Sequence, residues 1–214
     1  TDIPLGFWRA VYDSQNSFAN ECFIDELAHR SGVDPVYIRL KHVKSDSRTA
    51  TVIKRAAQES GWGGNLKAGR FHGFAYHYSF GSHVAEVAEI SVSDLNKVKV
   101  HKVTCVIDCG QTVNPMTIRA QMQSAIVFGI GATIKSQITI NNGEVNETNY
   151  DDYKVLRFDE MPEVDVHIIK NSEDPGGVGE PGLPPIAPAI ANAIFSATGK
   201  RIRKLPILAS DLKS

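Results

Sequence analysis

Cysteine is scarce in this chain, and the scarcity removes two classes of protein at once. Cys22, Cys105 and Cys109 are the whole complement, an odd number that offers no disulfide framework. A set of four thiolates for an iron–sulfur cluster is likewise missing. Cys105 and Cys109 stand four apart, and buried free thiols on strands and a helix are the plain reading of all three. Charge of one sign is also lacking. Lys and Arg total 23 against 24 Asp and Glu, a net charge of −1, so bulk charge gives no argument for nucleic acid or an anionic membrane as partner. No apolar run is long enough to span a bilayer. The Gly-x-x-x-x-Gly-Lys-Ser/Thr of a nucleotide loop is absent. So is the Gly-x-Ser-x-Gly of a serine hydrolase, although Ser82 precedes His83. The chain opens on Thr1 without a signal-peptide pattern, which reads as a processed chain or an excised domain.

What is present suits a chain with a buried core: 42% hydrophobic and 22% charged over 214 residues. That length holds one large domain, with a possible division into a helical part (1–64) and a mixed part (65–214). Ser17 to Arg30 reads as a helix, with Phe18, Cys22, Phe23, Leu27 and Ala28 on its apolar face and Glu21, Asp25 and Glu26 elsewhere. Asp34-Pro35 starts a second helix, with Val36, Ile38, Leu40 and Val43 as its face, and Thr49 to Glu59 a third. Alternation then takes over at Ala88, Ile90, Val92, Val98 and Val100. Val103, Cys105 and Ile107 continue it one residue out of phase, which implies a bulge or a kink. Asp94 to Lys97 is the turn. Met116 to Lys135 reads as a long helix whose Gly129 and Gly131 suit a close-packed backbone. Gln137 to Val145 reads as a hairpin around Asn142-Gly143, and Val164 to Ile168 as a last strand. This order of elements predicts an α+β fold.

The segment Gly176-Gly177-Val178-Gly179-Glu180-Pro181-Gly182 places one carboxylate among four glycines. Glycine allows close backbone approach, and Pro181 biases Glu180 toward an extended conformation. Pro184-Pro185 then opens a helix from Ile186 to Thr198, stopped by Gly199. Glu180 beside a helix N-terminus suits a general base. A tight turn whose glutamate only complements the helix dipole fits the spacing as well.

Other groupings are weaker. His72, His77 and His83 would not share a strand face, which disfavours a metal, so no metal ligands are assigned. Lys200-Arg201-Ile202-Arg203-Lys204 reads as a solvated helix end before it reads as a phosphate site. Asp108 to Pro115 links a strand to the long helix, and Gln121, one turn in, carries both donor and acceptor groups. On its own, Gln121 also suits the solvent side of a helix.

Taken together, four stretches resemble the large subunit of the molybdenum hydroxylases, the xanthine dehydrogenase and aldehyde oxidase family, in its isoquinoline 1-oxidoreductase and aldehyde dehydrogenase branch. They are Pro4-Leu5-Gly6-Phe7-Trp8-Arg9 with Gln15 and Phe23 to Ala28; Asp34-Pro35 to Arg39; Asp108 to Gln121; and Gly176 to Pro206. The chain departs from the family pattern at Ala120 and at Ser124-Ala125, where glycine is common. A second glycine-rich loop that embraces the pterin has no counterpart, so the chain resembles the C-terminal portion of such a subunit.

The resemblance implies a part of a molybdopterin-binding domain, with molybdopterin cytosine dinucleotide as cofactor in the complete enzyme and none held stably by this chain alone. It implies hydroxylation of an aldehyde or N-heteroaromatic carbon with oxygen from water, Glu180 serving as general base. Gln121, Gly177, Val178 and Gly179 would meet the cofactor, and Arg9 would orient the substrate. Implied partners are the remainder of the large subunit and a small [2Fe–2S] subunit. The competing reading is a non-catalytic module that completes a partner's cofactor site.

Overall fold

Asp34 and Asn114 start their helices by the same device. Each side-chain oxygen accepts from two backbone N–H groups, Val36 and Tyr37 for Asp34, and Met116 and Thr117 for Asn114. Pro35 and Pro115 follow, where a missing N–H costs nothing. The computed structural model describes residue 3 and residues 5–213, so Pro4 lies outside the described residues. Helices α1 (Asp13–Arg30), α2 (Pro35–Lys41) and α3 (Arg48–Ser60) come first. Strands β1 (Phe71–Ser79), β2 (Ser82–Val92) and β3 (Val98–Asp108) follow, then α4 (Pro115–Ile134). A small hairpin of β4 (Ile140–Asn141) and β5 (Glu144–Val145) precedes β6 (Glu163–Ile168) and α5 (Ile186–Thr198). The fold is α+β.

The main sheet runs β1-β2-β3-β6, antiparallel except for the parallel β3–β6 pair. A parallel neighbour requires a crossover, and α4 supplies it. The bulge expected from the phase shift is present. Glu89 faces Lys102 and Ile90 faces Val100, leaving His101 unpaired, which keeps Val100 and Val103 on one buried face. Strand β1 escaped the sequence reading because both its faces are covered: Phe74 and Ala75 are adjacent and both fully buried. Alternation fades when neither face meets water.

One face of the sheet packs on α4 and α5 through Val103, Cys105, Ile107, Met122, Ile126, Ile190 and Ile194. The other packs on α2 and α3 through Phe74, Val87, Val106, Val36, Val52 and Ile53. Helix α5 lies almost in backbone contact with β1. A Cβ on Gly73 would sit 2.1 Å from the carbonyl oxygen of Ala189. At Gly129 the close neighbour is the Ile186 side chain, 2.4 Å from where a Cβ would be, rather than a backbone; at Gly131 the nearest atom is 3.5 Å away.

Helix α1 keeps Cys22 and Ala28 of its expected face buried and packs Phe18 on the core, but is rotated so that acidic residues also turn inward. Ser17, Glu21, Cys22, Asp25 and Ala28 are buried, whereas Phe23 and Leu27 are exposed. The reason is polar. α1 lies along the free edge of β1, where the Tyr76 N–H donates to Glu21 at 2.7 Å. Arg39 donates to the same carboxylate at 2.9 Å, and Arg201 pairs with Asp25 at 2.5 Å. Burial raises the Glu21 carboxyl above its ordinary value against the pull of Arg39. Asn192 of α5 donates to the Phe74 carbonyl on the same edge. Side chains thus occupy an edge that would otherwise invite another strand.

Candidate active site

The glycine-rich segment crosses the end of the sheet and is held at nearly every residue. Gly110 has φ +73, and a Cβ there would meet the Asp174 carbonyl oxygen at 2.2 Å. The Gly176 N–H donates to the Cys109 carbonyl at 2.8 Å. The Gly177 N–H donates to the Phe80 carbonyl at 2.7 Å, and its own carbonyl accepts from Ser82 Oγ at 2.6 Å. Both polar groups of Gly177 are therefore used within the chain. Val178 turns its side chain onto the core. Gly179 is open, with nothing within 4 Å of where its Cβ would be. Among the described residues, the N–H groups of Val178, Gly179 and Glu180 meet no internal acceptor.

Two distant segments, the Arg9-Ala10 stretch and helix α4, meet the loop beside Glu180. From the first, Arg9 Nε donates to the Gly179 carbonyl at 2.9 Å, and its Nη2 donates to the same oxygen. The remaining Arg9 contacts go to helix α4: Nη1 to Ser124 Oγ at 3.1 Å and Nη2 to Gln121 Oε1 at 3.3 Å. Gln121, Ser124 and Phe128 form one stripe on α4, and Trp8 stacks on Phe128 with ring centroids 5.1 Å apart. Burial lowers Arg9 from its ordinary value, opposed by the negative charge of Glu180. The guanidinium keeps its charge throughout the working pH range.

Glu180 is half-buried, and Oε1 accepts the Ala10 N–H at 2.8 Å. Oε2 has no hydrogen-bond partner among the described residues. Ala10 and Val11 both adopt left-handed backbone, φ 71 and φ 48, a conformation seldom taken by a residue with a Cβ. Such strain persists where surrounding structure over-determines it. Here it aims the Ala10 N–H at the carboxylate. Ala10 is itself buried with Ala125 and Leu183.

Arg9, Gln121, Gly179 and Glu180 are thus brought together. The sequence reading missed Ala10, Ser82 and Ser124. Ser124 was visible as an i, i+3 neighbour of Gln121. Ala10 and Ser82 left no signal, because a backbone donor and a lone serine have no pattern. The three histidines separate: His72 stacks on Trp62, His77 meets Asp13 at 3.0 Å, and His83 meets Tyr76 at 2.7 Å. No group of metal-ligating side chains occurs among the described residues. In the basic cluster, Arg201 pairs with Asp25 and Arg203 with Glu26 on α1, and Lys200 donates to the Leu212 carbonyl. No helix among the described residues is long and apolar enough to cross a membrane.

Residues 10–162 match the molybdopterin cofactor-binding domain. The chain is 32% identical over 209 residues to the beta subunit of isoquinoline 1-oxidoreductase from Brevundimonas diminuta, covering 96% of this chain and 27% of that protein. It is 37% identical over 233 residues to a nicotinate dehydrogenase subunit from Pseudomonas putida, covering 99% of this chain and 19% of that protein. The aldehyde oxidoreductase structure from Desulfovibrio desulfuricans shares the fold with a TM-score of 0.73 at 12% identity, over 94% of this chain and 40% of that one. The chain spans 27% and 19% of the lengths of the two sequence relatives. With residues 10–162, well over half of its length, matching that family, the chain belongs to the molybdopterin cofactor-binding domains of the molybdenum hydroxylases.

Proposed function

We propose that this chain forms one wall of the active site of a molybdopterin-dependent oxidoreductase that hydroxylates an aldehyde or N-heteroaromatic carbon with oxygen from water. The donor set fits one side of such a cofactor. The N–H groups of Val178, Gly179 and Glu180 and the amide NH2 of Gln121 have no acceptors among the described residues. They stand beside the Arg9 guanidinium, which suits an anionic, acceptor-rich ligand. Val178, Gly179 and Gln121 would hold the group, which we take to be the cytosine dinucleotide form. Gly177 contributes by anchoring the loop. Bound molybdopterin supplies the two-electron redox chemistry, and the chain supplies base and orientation.

The observation that carries this reading is the state of Glu180. One oxygen is fixed by the Ala10 N–H and the other is free. A general base needs that combination, a set direction and an open lone pair. Glu180 takes the proton of the attacking hydroxyl at the free oxygen. Arg9 aids substrate orientation indirectly, by holding the loop and Gln121 in register. The remainder of the large subunit would close the site, and a small [2Fe–2S] subunit would carry the electrons away.

Glu180→Gln in the complete enzyme tests the proposal. Turnover per bound molybdenum should fall by about 10²–10⁴-fold, the usual cost of a lost general base. Molybdenum content and melting temperature should stay near wild type. A cofactor-replete variant with full turnover would instead favour a module that completes the site without chemistry of its own.

A further inference from the structure

We propose that Ser82, with the turn between β1 and β2, is a positioning residue for the catalytic carboxylate, an inference that rests on Glu180 being the base. The turn is Phe80-Gly81, closed by the facing pair Ser79 and Ser82. Both turn residues have positive φ, 53 for Phe80 and 78 for Gly81, the geometry of a tight hairpin whose twist matches its strands. Glycine is at ease there; Phe80 is not. The strained residue is the one whose carbonyl receives the Gly177 N–H, at 2.7 Å.

Ser82, fully buried, completes the grip. Its Oγ donates to the Gly177 carbonyl at 2.6 Å, so both polar groups of one glycine are held by one turn. The fit leaves no slack. A Cβ on Gly176 would stand 2.6 Å from the Gly81 carbonyl oxygen and 2.6 Å from Ser82 Oγ, and one on Gly177 would stand 3.0 Å from Phe80 Cβ. Only Val178 and Gly179 separate this anchor from Glu180. Val178 is set against the core, and the Gly179 carbonyl is held by Arg9. The carboxylate therefore projects from a segment fixed on two sides, by Ser82 and Phe80 behind it and by Arg9 beside it. Loss of the Ser82 hydroxyl leaves the Gly177 carbonyl without its donor and frees the loop at its anchored end. A base displaced by a fraction of an ångström loses rate before it loses binding.

A double-mutant cycle in the complete enzyme reads this directly. Ser82→Ala should lower kcat per bound molybdenum by about 10–10²-fold with KM little changed. In the Glu180→Gln background the same substitution should cost less than about 2-fold, because residues that act as a unit are strongly non-additive. Gly177→Ala attacks the same contact from the loop side and should show the same coupling, which covers the case in which Ser82→Ala fails to accumulate. A wild-type kcat in both variants, or equal losses in the two backgrounds, would overturn the role. A fully active Glu180→Gln enzyme would show separately that the base assignment itself had failed.

Discussion

The Ala10 N–H and the Glu180 carboxylate meet at 2.8 Å across 170 positions of sequence. The contact links a strained backbone to the single carboxylate of the glycine-rich loop. Removing that donor or moving the loop has the same consequence, a carboxylate that no longer points one way. Arg9 shares the task, since its guanidinium spans Gly179, Ser124 and Gln121 at once.

Arg9→Lys tests that spanning role. An ammonium carries the charge but cannot reproduce a planar fork. We expect kcat to fall by about 10-fold or more while KM changes by less than about 3-fold, the signature of a lost transition-state arrangement. A residue that gripped the substrate directly would instead raise KM with kcat held. Steady-state kinetics on the complete enzyme, per bound molybdenum, separates the two.

Glu86 should make stability depend on pH. It lies on β2 opposite Cys105, fully buried, and among the described residues the weakly polar Cys105 thiol is its only polar neighbour, with no well-formed hydrogen bond to either carboxyl oxygen. Burial holds its carboxyl well above the ordinary range. Well below that range, at about pH 3, folded and unfolded chains both keep the proton and the group adds no pH dependence. As pH rises the unfolded chain releases the proton and the folded one retains it, so stability falls until the folded group ionises. Glu86→Met removes the unpartnered polar atoms and the linkage together. It should stabilise by about 1–3 kcal/mol near pH 7, and by less near pH 4, in denaturant titrations. A loss of stability at both pH values would show that Glu86 has a partner in solution.

Gly73→Ala should break the packing of α5 on β1. The added methyl would lie 2.1 Å from the Ala189 carbonyl oxygen and 2.2 Å from the Ala193 nitrogen, both backbone atoms that cannot rotate away. Overpacking of this kind costs about 1–3 kcal/mol or more. A thermal melt within a degree of wild type would contradict so close an approach of helix and strand.

The chain by itself should bind molybdopterin too weakly to purify with it. Its donors lie on one side only, and Leu5, Phe7, Val113 and Met116 stand exposed, each by more than 80%. Exposed apolar side chains mark a docking face where they adjoin, so self-association is expected as well. Near-stoichiometric molybdenum in the purified chain, or a strict monomer in light scattering, would refute one half of the expectation or the other.

Sequence alone determined the local elements whose signals are local. Asp34-Pro35, Asn114-Pro115 and Gly199 fixed helix ends because caps act within a few residues. The phase shift at Val100 fixed the bulge because one buried face tolerates no slip. Glu180 stood out because a lone carboxylate among glycines is a chemical pattern in itself. Tertiary structure decided the rest. Strand β1 hid because both its faces are buried. Helix α1 turned Glu21 and Asp25 inward because Arg39, Arg201 and the free edge of β1 needed acceptors there. The donors that aim Glu180, Ala10 through its N–H and Ser82 through Gly177, lie far away in sequence. A backbone donor has no side-chain signature, so only the folded chain could bring it to the carboxylate.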